Sequence, residues 1–453
     1  MADHSISVFG LGYVGLSMAV CFASRRSKVL GVDVDEQRIQ LVSRGRSPVY
    51  EPGLKELLSE SIEEGLLECS PDHRRAVSDS AVSFVTVGTP SRPDGSIDLK
   101  GVEEASKLIG KALRDKKAWH LVVVRSTVTP GTTDGMVKST IENASRKKCG
   151  KDWGLCVNPE FLREGSAISD TFNPDRIVIG QHDEKSGDQL EELYRHFYRE
   201  KLPPVLRTTP ANAELIKYAN NAFLAMKVSY INMMANLSQQ VPGTDVSEVA
   251  KAIGLDQRIG PHFLKAGLGY GGSCLPKDLR ALLSFGKKKG LELPLVDATI
   301  SINELQPFRA NELTKRIIGD LRGKRVAVLG LAFKPNTDDV REAVSIILIK
   351  ALLKTGAQVV AYDPVAKESA RKILGDKVLF APSALECIDG ADSCIVVTEW
   401  EEFRKLQPQD FLQRMRTAVV VDGRRIFDPK DFGRIVRFSA IGLGATSTTQ
   451  SVQ

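Results

Sequence analysis

ISVFGLGYVGLSMAVCFAS, residues 6–24, decides how the rest of the chain is read. A short, largely apolar run leads into Gly10-Leu11-Gly12-Tyr13-Val14-Gly15, and a second apolar run continues from Leu16 to Ser24. The pattern predicts a buried strand, a glycine turn and a helix. KVLGVDVD (28–35) supplies a second strand, and Asp33 near its end falls eighteen residues after Gly15. A GxGxxG between strand and helix, with an acid closing the next strand, marks a dinucleotide-binding turn. The first glycine makes the turn tight, the second lets the backbone approach a pyrophosphate, and the third lets helix and strand pack closely. The helix N-terminus turns its free N–H groups toward the phosphates. A carboxylate at Asp33 suits a ribose diol and repels a 2′-phosphate, so NAD is the expected cofactor. Arg38 nearby keeps NADP from full exclusion.

Working outward, strands are expected at VSFVTVG (82–88), HLVVVRST (120–127) and RIVIG (176–180), with helical patterns between several of them. Strands alternating with helices imply a doubly wound parallel sheet. Ser126 and Thr127 fall at the carboxyl end of a strand, where open α/β sheets bind ligands. Near residue 209 the pattern changes. Residues 208–240 contain no proline or glycine after Pro210, Thr209 can cap a helix, and Pro210 suits its first turn. Leu215, Ile216, Phe223, Leu224, Met226, Val228, Ile231 and Met233 spread apolar surface over most of its faces, so it is expected to be buried nearly all round. It is either a dimer core or a spine within its own domain.

From Lys324 the opening theme returns in KRVAVLGLAF (324–333), AQVVAYDP (357–364), SCIVVTEW (393–400) and AVVVDGRR (418–425). Here Gly330-Leu331-Ala332 keeps only the first glycine, so this turn is not expected to take a second dinucleotide in the same way. Lys334 could still meet a phosphate of another nucleotide. The expected fold class is α/β: two doubly wound Rossmann-like parallel-sheet domains joined by a central helical domain with a long helix. The expected boundaries are 1–205, 206–305 and 306–440, followed by a flexible tail, 441–453, that is small and polar in composition.

The chain has 453 residues, 42% hydrophobic and 26% charged, which is ordinary for a globular protein of two or three domains. A net charge of +6 is mild, and its densest basic run, GKKKG (286–290), has no interleaved aromatics, so no nucleic-acid partner is expected. No apolar run is long enough to span a membrane, and the N-terminus lacks the basic region of a signal peptide. The seven cysteines are scattered without a CxxC pair, which argues against a zinc site and a disulfide framework and fits a cytoplasmic protein. No metal site is expected.

GLGYGGSCLPKD (267–278) carries the other chemical signal. Glycines at Gly267, Gly269, Gly271 and Gly272 permit close backbone approach, Lys277 brings a cation, and Asp278 lies four residues past Cys274. Cys274 is either a packed small residue or a nucleophile. A thiolate working with a dinucleotide can trap an aldehyde, pass through a thioester and release an acid. Lys217 and Asn221 are four residues apart on the long helix and share a face, unless Lys217 only extends to a surface. NPEFLREGSAISD (158–170) would put Glu160 and Glu164 on one face of a short turn or helix, as a ligand site or as a solvated pair.

Taken together, GLGYVG, VGTP (87–90), STV (126–128), NPEFLREG, ELIKYANNAFLA, GYGGSCLPKD and GLAFKPNTDDVRE resemble the nucleotide-sugar 6-dehydrogenases of the UDP-glucose/GDP-mannose dehydrogenase family, in order from about residue 5 to 430. Thr129 stands where that family often has proline. The resemblance implies a four-electron oxidation of a sugar C6 alcohol to a carboxylate with two NAD, UDP-glucose being the expected substrate. GDP-mannose and UDP-N-acetylmannosamine are alternatives, as are a hydroxyacid-type dehydrogenase with a structural Cys274 and a non-catalytic nucleotide sensor. It implies Cys274 as nucleophile, Lys217 and Asn221 on the oxyanion, and Asp278 activating water with help from Thr127 and Glu160. It implies NAD contacts at Gly10, Leu11, Gly12, Tyr13, Val14, Gly15, Asp33, Arg38, Thr89, Thr127, Glu164, Lys277 and Arg341. Substrate contacts would be Glu160, Phe161, Leu162, Arg163, Glu164, Lys217, Asn221, Phe263, Leu264, Lys265, Ala266, Gly267, Gly271 and Lys334, with Arg258 reaching in from a neighbouring subunit of a homodimer or higher homo-oligomer and Arg424 or Arg425 near the nucleotide.

Overall fold

The computed structural model describes residues 4–445, which form two compact units. One holds the chain up to Asn220 together with Arg280–Lys288; the other holds Asn221–Leu279 and the chain from Lys289 onward. The chain therefore passes from one to the other inside two helices, Pro210–Ser238 and Leu275–Lys288. The helical stretch 206–305 divides between both units.

The first unit is built on eight strands: β1 (Ile6–Phe9), β2 (Val29–Val32), β3 (Leu67–Cys69), β4 (Val82–Val85), β5 (Leu121–Val124), β6 (Gly154–Val157), β7 (Ile177–Gln181) and β8 (Val205–Thr208). Their order is β3-β2-β1-β4-β5-β6-β7-β8. Every residue of β1, β4, β5 and β6 is buried, as expected of a sheet covered on both faces. One side packs Phe22, Phe84, Tyr194 and Phe197; the other packs Ile109, Ile141 and Trp153. All neighbours are parallel except β6 and β7, so the sheet is not wholly parallel as expected. The link between β6 and β7 carries only the six-residue helix Ala167–Phe172, and its first residues run without regular structure. No full crossover helix returns the chain for a parallel pairing there.

The order reverses between β1 and β4, and β1, β4, β5 and β6 all run the same way. Their carboxyl ends thus release four segments at one edge of the sheet: 10–15, 86–90, 125–132 and 158–166. Ligands of open α/β sheets bind at such an edge.

The second unit repeats the plan with β9 (Arg325–Leu329), β10 (Gln358–Tyr362), β11 (Val378–Phe380), β12 (Ser393–Val396), β13 (Val419–Asp422) and β14 (Arg437–Ala440). The order β11-β10-β9-β12-β13-β14 is parallel throughout. Ile441–Ala445, at the head of the expected tail, is tied to the loop before the helix Val246–Gly254. Val246 N–H donates to Gly442 O at 2.9 Å and Gly243 N–H to Ala445 O at 3.1 Å. Residues 446–453 lie outside the described residues.

The long helix Pro210–Ser238 differs from expectation. Ala213, Tyr218, Ala225, Ile231 and Ala235 are buried, but Leu215, Phe223, Tyr230, Met233 and Leu237 are 41–59% exposed. Its neighbours in this chain cover one face and leave an apolar stripe on the other. Among the described residues no helix is long and apolar enough to cross a membrane, and no cluster of three His, Cys, Asp or Glu side chains is placed to hold a metal ion.

Candidate active site

The three glycines of the first turn answer to three different surroundings. Gly10 has φ +103°, and a Cβ there would meet Val87 N at 2.9 Å. A Cβ on Gly15 would lie 1.9 Å from Gly10 O, so this glycine is what lets helix and strand pack. A Cβ on Gly12 would meet nothing within 4 Å. The space in front of Gly12, at the start of the helix Tyr13–Ser24, is where a pyrophosphate would approach. Asp33 Oδ2 accepts from Leu11 N–H at 2.7 Å and from Arg38 at 3.0 Å, and Oδ1 accepts from Asp35 N–H at 3.0 Å. Burial pushes the Asp33 carboxyl up, but these hydrogen bonds and the Arg38 charge outweigh it and hold the group below the usual carboxylate range. Arg38, expected near a 2′-phosphate, is thus engaged by Asp33 itself. Thr89 Oγ1 donates to Thr127 O at 2.9 Å, which joins two of the expected contacts.

The corresponding turn of the second unit is closed. Asp363, at the end of β10 as Asp33 is at the end of β2, accepts from both Leu331 and Ala332 N–H at 2.7 and 3.0 Å. Trp400 Nε1–H donates to the same oxygen at 3.0 Å. Asp33 holds Leu11 N–H in the same way in the first turn; the second turn differs in committing Ala332 N–H and the Trp400 indole to its carboxylate as well.

In the segment after β6, Glu160 is buried and its Oε1 accepts from Lys217 Nζ at 2.9 Å. Lys217 also donates to Glu160 O at 2.6 Å, and Leu162 N–H donates to Glu160 Oε2 at 2.6 Å. Burial pushes the Glu160 carboxyl up, while the Lys217 ammonium beside it, the Leu162 N–H and the Arg125 charge bring it below the usual range. Lys217 is only 4% exposed, so it does not extend to a surface. Phe161 lies against two cations, Arg176 at 4.2 Å and Lys217 at 5.4 Å from its ring centre. Glu160 and Glu164 do not share a helical face: regular helix begins only at Ala167, Glu160 lies on irregular backbone and Glu164 on a turn. Arg163 is held locally by Asp170 at 2.5 Å.

Of the two residues that position this segment, Glu51 escapes sequence reading and Tyr13 is read there only as an NAD contact. Glu51 accepts from Gly165 N–H at 2.6 Å and Ala167 N–H at 2.7 Å, and Tyr13 Oη shares the Gly165 N–H at 2.7 Å. Tyr13 thereby joins the glycine turn to the 158–166 segment. Glu51 sits in a Pro/Gly loop more than a hundred residues earlier, and only the motif YEPG (50–53) hinted at it.

In the second unit Cys274 stands immediately before the helix Leu275–Lys288, with its carbonyl accepting from Asp278 N–H at 2.9 Å. A helix N-terminus favours negative charge at that place. Asp278 is 1% exposed; its two oxygens accept from Asn221 Nδ2 at 2.7 Å and Lys277 Nζ at 2.5 Å. Lys277, expected at NAD, is paired with Asp278 in this arrangement. The other cysteines behave as packed side chains. Burial pushes the Cys21, Cys69, Cys149 and Cys387 thiols up to about 12, and those of Cys156 and Cys394 also well above the ordinary value.

The glycines before Cys274 are required by the protein itself. A Cβ on Gly271 would lie 2.3 Å from Glu342 O, and one on Gly272 2.7 Å from the Phe333 ring. Gly267 N–H donates to Asn232, Gly267 O accepts from Gln306, and Arg424 donates to Gly269 O at 3.0 Å. Leu264 and Ala266 are buried, Phe263 has φ +63°, and Lys265 faces Glu399 at 4.0 Å. Lys334 lies 5.7 Å from the Phe333 ring centre. Arg341 is paired with Asp339 at 2.7 Å, and Arg425 with Asp245. Arg258 is the most exposed of the expected contacts and is paired with Asp256 at 2.6 Å.

Known proteins resemble this chain over nearly its whole length. Three family models match in order: residues 4–198 the NAD binding domain, 211–305 the central domain and 327–429 the UDP binding domain of the UDP-glucose/GDP-mannose dehydrogenase family. A UDP-glucose 6-dehydrogenase of Haloferax volcanii is 44% identical over 422 residues, 93% of this chain and 96% of that protein. The structure of a UDP-glucose dehydrogenase from Pyrobaculum islandicum, 42% identical, covers 97% of this chain and 98% of its own with a TM-score of 0.89. A UDP-D-ManNAc dehydrogenase from Pyrococcus horikoshii reaches a TM-score of 0.85 at 28% identity, over 97% and 99% of the two chains. The cofactor is NAD, as the matched first domain and the Asp33 turn both indicate. On motifs, fold and near-complete coverage by its relatives, the chain belongs to the UDP-glucose/GDP-mannose dehydrogenase family.

Proposed function

We propose that this enzyme oxidises the C6 alcohol of UDP-glucose to the carboxylate of UDP-glucuronate, in two steps at Cys274. Bound NAD supplies the hydride acceptor for each oxidation. The C6 hydroxyl loses a proton and a hydride to become an aldehyde. The Cys274 Sγ adds to that carbonyl carbon to give a thiohemiacetal, loss of a second hydride leaves a thioester, and water cleaves it to the acid and free thiol. Lys217 and Asn221 carry the oxyanion role, and each is already oriented by a carboxylate, Glu160 and Asp278 respectively. Asp278 assists the hydrolytic water. Thr127 and Glu160 support it through bound water, while Gly12 and Asp33 hold the dinucleotide.

The observation that carries this reading is Cys274 itself, set at a helix start one turn from a buried, doubly held Asp278. A simple alcohol–ketone exchange needs no such thiol. Identities of 42–44% to UDP-glucose enzymes against 28% to a UDP-D-ManNAc enzyme favour UDP-glucose over UDP-N-acetylmannosamine. The test is NADH yield with UDP-glucose, GDP-mannose and UDP-N-acetylmannosamine. Two NADH per UDP-glucose and an acid product are expected; one NADH and a ketone would move the chain to the hydroxyacid type. The exposed stripe Leu215, Phe223, Tyr230, Met233 and Leu237 supports a homodimer through the long helix. Phe223→Asp should then lower the mass measured by light scattering. Free cysteines throughout support a cytoplasmic enzyme.

A further inference from the structure

Arg125, just beyond β5, is a buried cation that makes no salt bridge among the described residues. It is 9% exposed, its hydrogen bonds go to Asn158 Oδ1 and to Tyr194 Oη at 3.3 Å, and its Nε has no hydrogen-bond partner among the described residues. Removing a guanidinium from water costs several kcal/mol unless a carboxylate repays it. Both of its partners are neutral. Asn158 is fixed on its other side by donation to Val178 O at 2.9 Å, and Tyr194 Oη donates to Asn158 Oδ1 at 2.5 Å. Asn158 lies two residues before Glu160, so this network sets where the 158–166 segment leaves the sheet.

The charge has a second use. Glu160 and Lys217 form a buried pair that is neutral as a pair, and a neutral pair offers little to an oxyanion. Arg125 also acts on the Glu160 carboxylate through its charge, and Arg125, Lys217 and Glu160 together carry one net positive charge. We propose that Arg125 is a positioning residue of the oxidation: it anchors the start of the 158–166 segment through Asn158 and adds a positive charge beside the Glu160–Lys217 pair. This rests on the proposed function, in which Lys217 meets the C6 oxyanion.

The charged and titratable groups around the pair are few. Lys217 faces Glu160 from the long helix, and Arg176, ahead of β7, stacks on Phe161 next to it. Tyr194 and Tyr198, from the helix Glu184–Tyr198, and Cys21, from the first helix, feel Arg125. Burial keeps all three of these uncharged, pushing the Cys21 thiol up to about 12 and the two phenols above their ordinary value. Glu160 is therefore an acid on which the loss of Arg125 would register.

The test compares the full-length enzyme with Arg125→Met, Arg125→Lys and Asn158→Asp, using UDP-glucose and NAD. Arg125→Met should lower kcat about tenfold or more, as loss of preorganised charge does. It should also move the acid limb of the kcat–pH profile upward by about one unit, because Glu160 is then harder to ionise. Arg125→Lys should restore the limb and most of the rate. Asn158→Asp keeps Arg125 in place but neutralises it, and should move the limb in the same direction; this arm decides the matter if Arg125→Met does not fold. A purely packing role predicts lower melting temperatures with an unmoved acid limb and no rescue by lysine, and that result overturns the proposal. Failure of the unaltered enzyme to oxidise UDP-glucose would instead overturn the functional reading.

Discussion

The open space in front of Gly12 makes a prediction that separates cofactor binding from folding. Gly12→Ala adds a methyl group that touches nothing within 4 Å, at a residue with φ −73° and ψ −167°, which alanine adopts without strain. Alanine is a poorer helix cap than glycine, but it also reduces the freedom of the unfolded chain. The two effects oppose, and stability should stay within about 0.5 kcal/mol. The methyl nevertheless stands where the pyrophosphate approaches the backbone. NAD affinity should fall at least about tenfold, or ~1.4 kcal/mol. Gly15→Ala should do the reverse in order of severity. Its methyl would lie 1.9 Å from Gly10 O and 2.5 Å from Thr86 Oγ1, a clash relieved only by moving helix or strand. A cost of about 3 kcal/mol or more follows, lowering the melting temperature of the first unit by about 5–10 °C. Isothermal titration with NAD and a thermal scan, run on both variants, check the pair. If Gly12→Ala binds NAD as tightly as the unaltered chain, the pyrophosphate is not at Gly12 and the assignment of the turn fails.

Three further outcomes are expected. Cys274→Ser should allow hydride removal but stall at a slowly hydrolysed ester, seen as a burst of NADH without turnover and a sugar-nucleotide mass on the protein; normal turnover would exclude the thioester. Glu51→Gln should leave one of the Gly165 and Ala167 N–H groups facing an amide donor, costing about 1–3 kcal/mol and raising KM for the sugar nucleotide more than KM for NAD; equal KM values with unchanged stability would count against its positioning role. His120 is fully buried between Ser83 Oγ at 2.8 Å and Ser80 O at 3.0 Å, and burial, reinforced by Lys116, lowers its pKa to about 3. Only the unfolded chain then takes up a proton as pH falls from about 6.5 toward 3, so stability is full above that window and drops by about 1.4 kcal/mol per unit within it. His120→Gln should flatten this fall in a series of thermal scans between pH 7 and 5, and parallel curves would show that His120 does not cause it.

Strand runs and the glycine turn were legible because each is a local pattern: a buried parallel strand is a continuous apolar run, and a turn needs glycine at fixed spacing. The β6–β7 reversal was not, because strand direction depends on how the intervening chain packs rather than on composition. The long helix was over-read for a related reason. Apolar residues on all faces state what could be buried, not what this chain covers, and Phe223 and Leu237 remain exposed. Asp33, Glu160 and Lys217 in the first unit, and Cys274 and Asp278 in the second, were all visible as residues. Their pairing was visible only in part: Lys217 reaches Glu160 across fifty-seven positions, and Glu51 reaches Gly165 across more than a hundred. No periodicity carries that information. The glycines before Cys274 were read as room for a ligand, whereas Gly271 and Gly272 are first of all room for Glu342 and Phe333.

The closed turn of the second sheet bears on how one architecture comes to serve two nucleotides. Asp363, held in place by the Trp400 indole N–H, behaves as a tethered competitor, accepting from the amides of residues 331 and 332 from within the chain. A group held on so short a leash acts at an effective concentration in the millimolar range or above, and any free dinucleotide would have to displace it. Selectivity between the two sheets thus needs no difference in strand order or helix placement. Both turns commit their first amide to a carboxylate, Leu11 to Asp33 and Leu331 to Asp363; the second adds Ala332 N–H and the Trp400 indole, a distinction that two side chains are enough to write and, by substitution, to erase.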